Sequence, residues 1–490
     1  MMKSKVTKRP FVLISVMLAM FMGAVEATIV ATAMPSITSD LGGFSRYSWV
    51  FSAYLLMSTI TVLIYGKLAD IFGRKVVFFI GVSLFLSGSL LCGFATTMEQ
   101  LIIYRLIQGL GAGAVQPIAT IIIGDVYQGE ERAKIQGYLS SVWGISAVSG
   151  PAIGGILVET IGWQFVFWVN IPLGLIAMIG IGLFLHETSP RKDTTVDYKG
   201  AILLTALLSS LLFWLVEGGQ SFPWKSLTSL SLILVVIVGL YFFIKVEKRA
   251  SDPFMPFSIW RNKTILFANL ISFFTGVILI GLSSYIPMYV TGVMEQKAIV
   301  AGFTLTAVSI GWPIASTIAG RLLTKHGASK LSFVGTLFLM IGTFSFIFIN
   351  PTLNPIVIAC CSFLVGIGMG LTSTSFIVTI QGAVGQELRG VATASNLFMR
   401  NFGNTVGAAL LGTIVNVTLG KYLKHNGSTE DLSIIDQLLD AEERNVFSVE
   451  ELSFLQAGLD NALHAVFIAS FIIAIICFIL VFGIPKKKGV

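Results

Sequence analysis

The sequence predicts an all-α membrane protein with fourteen transmembrane helices. Three observations predict it. Of 490 residues, 55% are hydrophobic and only 12% charged, too little polar surface to cover a soluble chain of this length. Apolar runs of about 20 residues, enough to cross a bilayer, recur along nearly the whole chain and leave no room for a soluble domain. The basic residues, finally, fall on one side once fourteen crossings are drawn.

In order, the spans are expected at Phe11–Met34, Trp49–Leu68, Val76–Ala95, Leu101–Val126, Ile135–Val158, Gln164–His186, Tyr198–Val216, Leu227–Ile244, Ile265–Val290, Val300–Leu323, Leu331–Ile349, Pro355–Ile380, Val391–Val417 and Ala462–Ile484. An even count puts both termini on one side. With the termini inside, Lys3, Lys5, Lys8, Arg9, Lys245, Lys248, Arg249, Arg261, Lys263 and Lys486 to Lys488 are cytoplasmic. The opposite side holds only Arg46, Lys225, Lys297, Lys421, Lys424 and Arg444. That is a strong positive-inside bias, and it places the chain in the inner or plasma membrane. The net charge of +7 is therefore topology, and nucleic acid is not an expected partner. The first apolar run is too long for the h-region of a signal peptide and carries Glu26, so it is kept as span 1. Residues 420–460 are expected to form one long outer loop, acid-rich and solvated, with one or two short helices (Glu430, Asp431, Asp436, Asp440, Glu442, Glu443, Glu450, Glu451, Asp460).

Several functions are excluded. Cys92, Cys360, Cys361 and Cys477 lie in apolar runs without ligand spacing, so neither a metal site nor a disulfide framework is expected. There is no G-x-x-x-x-G-K-[ST] phosphate loop for ATP drive. A membrane-embedded enzyme or receptor would need a catalytic cluster or an extramembrane domain, and neither is visible.

An internal repeat organises the chain. Gly66-Lys-Leu-Ala-Asp70-Ile-Phe-Gly73-Arg74-Lys75 follows span 2, and Gly320-Arg-Leu-Leu-Thr324-Lys-His-Gly327-Ala-Ser-Lys330 follows span 10. Both place two glycines seven apart, with basic residues, at the same end of the second span of a six-span block. This divides the chain into an N-terminal bundle at 1–186, an insert of two helices at 187–262 and a C-terminal bundle at 263–490. Two like-oriented halves imply a central cavity and alternating access by rocking.

These residues resemble the major facilitator superfamily, in its fourteen-span drug:proton antiporter branch. The loop after span 2 resembles the signature G-x-L-a-D-x-x-G-R-[KR]. Arg105-Leu-Ile-Gln108-Gly109-Leu-Gly111 resembles R-x-x-Q-G-x-G. Gly144 through Gly150-Pro151-Ala-Ile-Gly154-Gly155 resembles the antiporter motif, and Trp163 to Pro172 the start of span 6 in this branch. The branch's span-1 pattern D-x-T-x-x-N-x-A-x-P reads here Glu26-Ala-Thr28-Ile-Val-Ala31-Thr-Ala33-Met-Pro35, with Glu for Asp and Ala31 for Asn. The resemblance implies a secondary transporter that exports amphipathic compounds in exchange for protons.

The residues carry chemistry of their own. Glu26 lies 16 residues beyond Pro10, about 24 Å along a helix and deep in the membrane, where a bare carboxylate must pair or take up a proton. Burial disfavours its charge and a nearby Arg favours it, and an acid between these influences can load and release protons. The alternative is a structural ion pair locking span 1 to span 4. Arg105, near the outer end of span 4, is a fixed charge placed either to pair with Glu26 or to snorkel to the interface. Glu217, at the end of span 7, is a weaker proton candidate. Arg400 shares a helical stripe with Asn396, Asn404, Gly403 and Gly407 that either lines the cavity or glues helices together. No carboxylate is expected inside spans 9–14, so monovalent cationic or neutral substrates are expected, and dications are not.

Gly66, Asp70, Gly73 and Arg74, with Lys75, read as a conformational switch rather than as substrate ligands. Gly150 and Pro151 read as a kink, and Gly144, Gly154 and Gly155 as close-packing positions; sealing against leak is what the resemblance adds. An adaptable cavity wall is sought in Met22, Tyr54, Met57, Trp143, Tyr285, Trp312 and Phe376. The expectation is thus a monomeric proton-coupled exporter with no cofactor but the proton. A dedicated exporter of one metabolite, peptide or antibiotic is the alternative.

Overall fold

The computed structural model describes residues 7–127, 129–187, 198–219, 221–249, 259–385, 389–425, 432–439 and 443–485. The N-terminal bundle comprises α1 (Arg9–Leu41), α2 (Tyr47–Phe72), α3 (Arg74–Cys92), α4 (Met98–Val126), α5 (Gly129–Thr160) and a sixth crossing split into α6 (Gln164–Trp168) and α7 (Asn170–Phe184). Two helices follow, α8 (Tyr198–Glu217) and α9 (Leu227–Glu247). The C-terminal bundle comprises α10 (Lys263–Met288, continued by a π turn at Tyr289–Val293), α11 (Ala298–His326), α12 (Ala328–Ser345), α13 (Pro355–Gly382), α14 (Arg389–His425), the short α15 (Ile434–Leu439) and α16 (Val449–Leu480). Among the described residues, 14 helical segments are long and apolar enough to cross a membrane.

The repeat is visible in the backbone. One residue separates α2 from α3 and one separates α11 from α12, and both are glycines with positive φ, Gly73 at +95° and Gly327 at +76°. A side chain would strain either turn. The first glycines of the two copies also match, since a Cβ on Gly66 or Gly320 would meet nothing within 4 Å. The two bundles therefore stand apart at this end, which also carries the start of α1 and the end of α16.

At the other end they are pressed together. Tyr47 Oη donates to the Ser284 carbonyl at 2.7 Å, and Asn416 Nδ2 to the Ser45 carbonyl at 2.6 Å. Thr306 Oγ1 donates to the Val148 carbonyl at 3.2 Å, and the Ile299 amide to Glu159 at 2.8 Å. Thr59 and Thr405 share a bond at 3.2 Å about halfway down. With no hydrophobic effect between helices in lipid, such contact needs small residues. A Cβ on Gly302 would lie 2.2 Å from the Pro151 carbonyl, and one on Gly155 2.7 Å from Ile299 Cα. The chain is thus sealed at one end and open at the end that bears the termini.

The inserted pair differs from the rest. Leu230, Leu234, Ile237 and Leu240 of α9 are exposed, as expected of a helix facing lipid. Behind it, α8 packs Leu204, Leu208 and Leu212 against Leu56 and Ile60 of α2 and against Phe398 of α14. Trp49 Nε1 donates to Glu217 at 2.8 Å, and Thr413 to the Leu215 carbonyl. The insert therefore straddles one seam between the bundles.

Two expectations need correction. The loop expected at 420–460 is shorter, because α14 runs to His425 and α16 begins at Val449. A capping box starts α16: Ser448 accepts from the Glu451 amide, and Glu451 accepts from the Ser448 amide. Nor is the loop simply solvated. Ile435 and Leu438 are buried, and Asp436 accepts from the Gly43 and Phe44 amides at 2.8 and 2.9 Å. As a consequence Asp460, expected in the loop, lies within α16, 3.2 Å from His464. Lys3, Lys5, Lys486 to Lys488, Glu430, Asp431, Asp440 and Glu442 lie outside the described residues.

Candidate functional site

Glu26 sits on α1 with no exposure, inside the N-terminal bundle between α3, α4 and α7. Arg105 Nη1 is in contact with its Oε1. Arg105 is 1% exposed and therefore does not snorkel to an interface. Asn170 Nδ2 donates to Glu26 Oε2 at 2.6 Å.

The same Arg105 nitrogen donates to Gln108 Oε1 at 2.6 Å, and Arg105 Nε to the Val50 carbonyl at 3.2 Å. Gln108 Nε2 and Asn170 Nδ2 both reach Ser89 Oγ at 3.0 Å. The Tyr54 ring lies 4.0 Å from Arg105 Cζ and the Phe167 ring 5.9 Å, so the guanidinium also meets two π faces. One acid and one base, each bound by amides and rings, make a net-neutral cluster; this is how charge survives in a dry interior.

Local sequence explains the placement. Pro172 has no N–H for the Trp168 carbonyl, and the sixth crossing breaks there, between α6 and α7. The break sets Asn170 at the head of α7, facing Glu26. On the other side, a Cβ on Gly88 would lie 2.4 Å from the Gln108 amide, so α3 meets α4 backbone to backbone and brings Ser89 within reach of Gln108. Asn170, Gln108 and Ser89 were not named as site residues from sequence. Their signal was present, since Gln108 and Asn170 are polar residues inside apolar spans.

The glycine-rich stretch Gly144–Gly155 of α5 touches this helix from behind. A Cβ on Gly150 would meet Thr28 Oγ1 at 2.1 Å and one on Gly154 would meet Thr32 Oγ1 at 2.2 Å. Gly144 faces Pro313, Gly155 faces Ile299, and the Pro151 carbonyl faces Gly302. Helix α5 runs unbroken through Pro151. Gly150 serves close approach to Thr28 of α1.

The switch residues fall at the open end. Arg74 Nε lies 3.0 Å from Asp125, and the Arg74 amide donates to Glu187 at 2.6 Å. Lys75 Nζ donates to the Gly182 carbonyl at 2.6 Å. All of these partners lie within the N-terminal half. The Asp70 side chain lies outside the described residues.

The residues sought for the cavity separate into two groups. Trp312, Phe376, Asn396 and Arg400 line one cleft, with Ser272, Thr275, Met369, Thr372, Ser373 and Ile377. The others lie elsewhere. Met22 is packed in the N-terminal core with Trp143 against its edge, and Tyr54 stacks on Arg105. Met57 packs beside α8. Tyr285 is buried in the sealed seam, stacked on Tyr47 at 5.7 Å.

Two bundles that meet at one end and part at the other, with a charge pair buried in one and a cleft in the other, define a membrane transporter. Residues 16–408 match the Major Facilitator Superfamily, and the chain belongs to that family. It is a multi-pass membrane transporter and not an enzyme. It is 36% identical over 421 residues to the "Multidrug transporter protein MdtP" of Bacillus subtilis (strain 168), covering 86% of this chain and 78% of that one. To "Multidrug resistance protein 3" of the same strain it is 35% identical over 411 residues, covering 84% and 80%. Among solved structures, a bacterial homolog of the human lysosomal transporter Spinster, in an inward-facing and unoccupied conformation, superposes with a TM-score of 0.68. That match has 16% identity and covers 97% of both chains.

Proposed function

We propose that this protein exports small amphipathic, drug-like compounds in exchange for protons, with Glu26 as the proton-carrying group. One observation carries the reading: a carboxylate fully buried in the membrane, held by a cation and an amide that it would release on taking a proton. The names of the curated relatives support export of drugs.

The termini are assigned to the cytoplasm from the distribution of Lys and Arg. The sealed end then faces outward, and the state described is inward-facing. In it Glu26 is ionised and bound to Arg105. A proton arriving at Glu26 removes the attraction and frees the guanidinium and Asn170. Helix α1 carries the change, since Glu26 lies on one face while Thr28 and Thr32 meet Gly150 and Gly154 of α5 on another. Helix α5 in turn forms the sealed seam with α11. Proton and substrate therefore act on one two-state seam rather than in one shared pocket, and their coupling is reciprocal. Gly66, Gly73, Arg74 and Asp70 act at the opposite end, where the halves must meet when the outer seam opens.

Everted membrane vesicles given a lipophilic fluorescent dye test the reading. Wild-type vesicles should accumulate dye while a pH gradient stands and lose it when the gradient is dissipated. Glu26→Gln should lower the gradient-driven part at least about tenfold, and Glu26→Asp should restore much of it. Uptake by Glu26→Gln at the wild-type rate would leave the pair a structural lock. A panel of unrelated dyes and drugs separates multidrug export from export of a single compound.

A further inference from the structure

We infer that the cleft of the C-terminal half recognises the carboxylate of an aromatic amphipath, with Arg400 as its ligand and Trp312 as the wall that holds the ring. The inference rests on the export reading and names its substrate class: net-neutral zwitterions and monoanions ahead of lipophilic cations.

The argument starts from an unmatched charge. Arg400 lies within α14, five residues, or about 7.5 Å, below Thr405, where the seam closes. Among the described residues it has no ion-pair or hydrogen-bond partner; its one recorded contact is the Trp312 ring, 5.8 Å from Cζ. No acid lines the cleft. A guanidinium cannot shed its proton, so within a membrane it calls for an anion or water.

Several of the other polar groups of the cleft are already committed. Asn396 Nδ2 is within reach of Ser272 Oγ at 2.8 Å, Asn269 Oδ1 at 3.1 Å and the Ala268 carbonyl at 3.4 Å, which makes it a strut between α10 and α14. The hydroxyls of Thr275 and Thr372 donate to the Ser272 and Gly368 carbonyls at 2.9 and 2.8 Å, so they offer lone pairs rather than donors. Arg400 is therefore the charged donor of this cleft, and its planar fork matches a carboxylate.

Its position is rigid. A Cβ on Gly276 would lie 2.3 Å from the Arg400 carbonyl, and one on Gly403 1.9 Å from the Phe273 carbonyl. Backbone contact on both sides thus fixes the turn of α14 that carries the charge. Trp312 supplies flat apolar surface beside it, backed by the buried Phe376, which selects an organic anion with a ring over a small hydrated one. A cationic amphipath would place its charge against Arg400.

The test uses the full-length protein in lipid nanodiscs, without any gradient, and three matched probes: pyrenebutyrate, its methyl ester and pyrenebutylamine. Wild type should bind the acid at least about tenfold tighter than the ester, with the amine weakest. Arg400→Gln should bring the acid down to the level of the ester while the ester is unchanged, and should tighten the amine. Arg400→Lys, a point charge without the fork, should keep part of the preference. Should Arg400→Gln fail to fold, the wild-type ratios and Arg400→Lys still decide.

Equal affinity of wild type for acid and ester overturns the inference. So does equal weakening of both by Arg400→Gln, which would make Arg400 a packing residue of Trp312. Either result leaves proton coupling through Glu26 standing. Gradient-driven uptake by Glu26→Gln would remove the coupling and leave the acid–ester difference untouched.

Discussion

The two halves descend from one repeat and each places an arginine within a span, but the two arginines live in opposite circumstances. Arg105 is closed in, paired with Glu26 and bounded by Gln108, the Val50 carbonyl and two aromatic rings. Arg400 stands at a cleft without an acid. The same fold is thus used for two electrical tasks. In the N-terminal half the charge is balanced internally, and on the proposed mechanism a single proton would unbalance it. In the C-terminal half the charge faces a cleft without an acid, where the proposed substrate would balance it. The seam of α5 with α11 lies between them, so the proposed proton and substrate would compete over its closure without touching.

The largest expected effect breaks the balance in the N-terminal half. Removing one member of a buried pair costs about 3–5 kcal/mol in favourable cases. The two partners are not equivalent, however. If Arg105 is lost, Glu26 can neutralise itself by taking a proton; if Glu26 is lost, Arg105 has no such escape. Glu26→Gln should therefore lower thermal stability more than Arg105→Gln, and the double variant should recover part of the loss. A double-mutant cycle of melting temperatures in detergent reads this. Equal losses that simply add would mean that the two groups do not act as a pair. The matching substitution Arg400→Gln should leave stability unchanged or raise it, since it removes a charge that has no partner.

A smaller effect comes from the seam. A Cβ on Gly302 would sit 2.2 Å from the Pro151 carbonyl, backbone that cannot swing aside. Gly302→Ala should push α11 off α5 at a cost of about 1–3 kcal/mol to the sealed state, shifting the population toward the state open at that end. Thiol labelling of a cysteine introduced at Val148 should rise accordingly. Gly66→Ala and Gly320→Ala form the contrast. Both glycines face open space here, so alanine should leave this state unchanged and slow transport only if that end closes tightly in the other state. If Val148→Cys labels equally with and without Gly302→Ala, α5–α11 contact does not control the seal.

What could be read from sequence follows the same division. Hydropathy located fourteen crossings because lipid forces every span to be apolar along its whole length. The glycines at 73 and 327 located the tight turns because no other residue suits their φ. Glu26 and Arg105 stood out as charges where charge is costly. Asn170, Gln108 and Ser89 did not, because neutral polar residues are tolerated singly in spans. Only the meeting of α3, α4 and α7, set by Gly88 and by the break before Pro172, reveals them as one network. The cavity list mixed cleft and core for a related reason: a Met or an aromatic ring suits either, and only the face of the helix decides. The boundary of α16 was missed despite Ser448 and Glu451, since a polar helical turn outside the membrane has no hydropathy signal.

The smallest effect concerns the segment between α14 and α16, which crosses from one half to the other. Asp436 accepts two amides from the α1–α2 turn, and a Cβ on Gly42 would lie 3.5 Å from its Oδ2. Burial raises its pKa above the usual aspartate value, more than the Gly43 and Phe44 amides lower it. The docked state therefore binds this proton better than a state with Asp436 in water. By linkage, its contribution to docking is full below the ordinary aspartate range and is lost as pH rises through the raised value. Acid on this face should tighten the latch. Asp436→Asn keeps an oxygen acceptor for one amide but turns an NH2 donor toward the other, so it should weaken the latch by about 1 kcal/mol while removing its pH dependence. Asp436→Ala loses both bonds and should loosen it. Labelling of a cysteine at Ser45, followed from pH 4 upward and normalised to the thiolate fraction at each pH, should climb with pH in wild type and change little in Asp436→Asn. A wild-type profile that falls with pH would mean that the amides outweigh the burial.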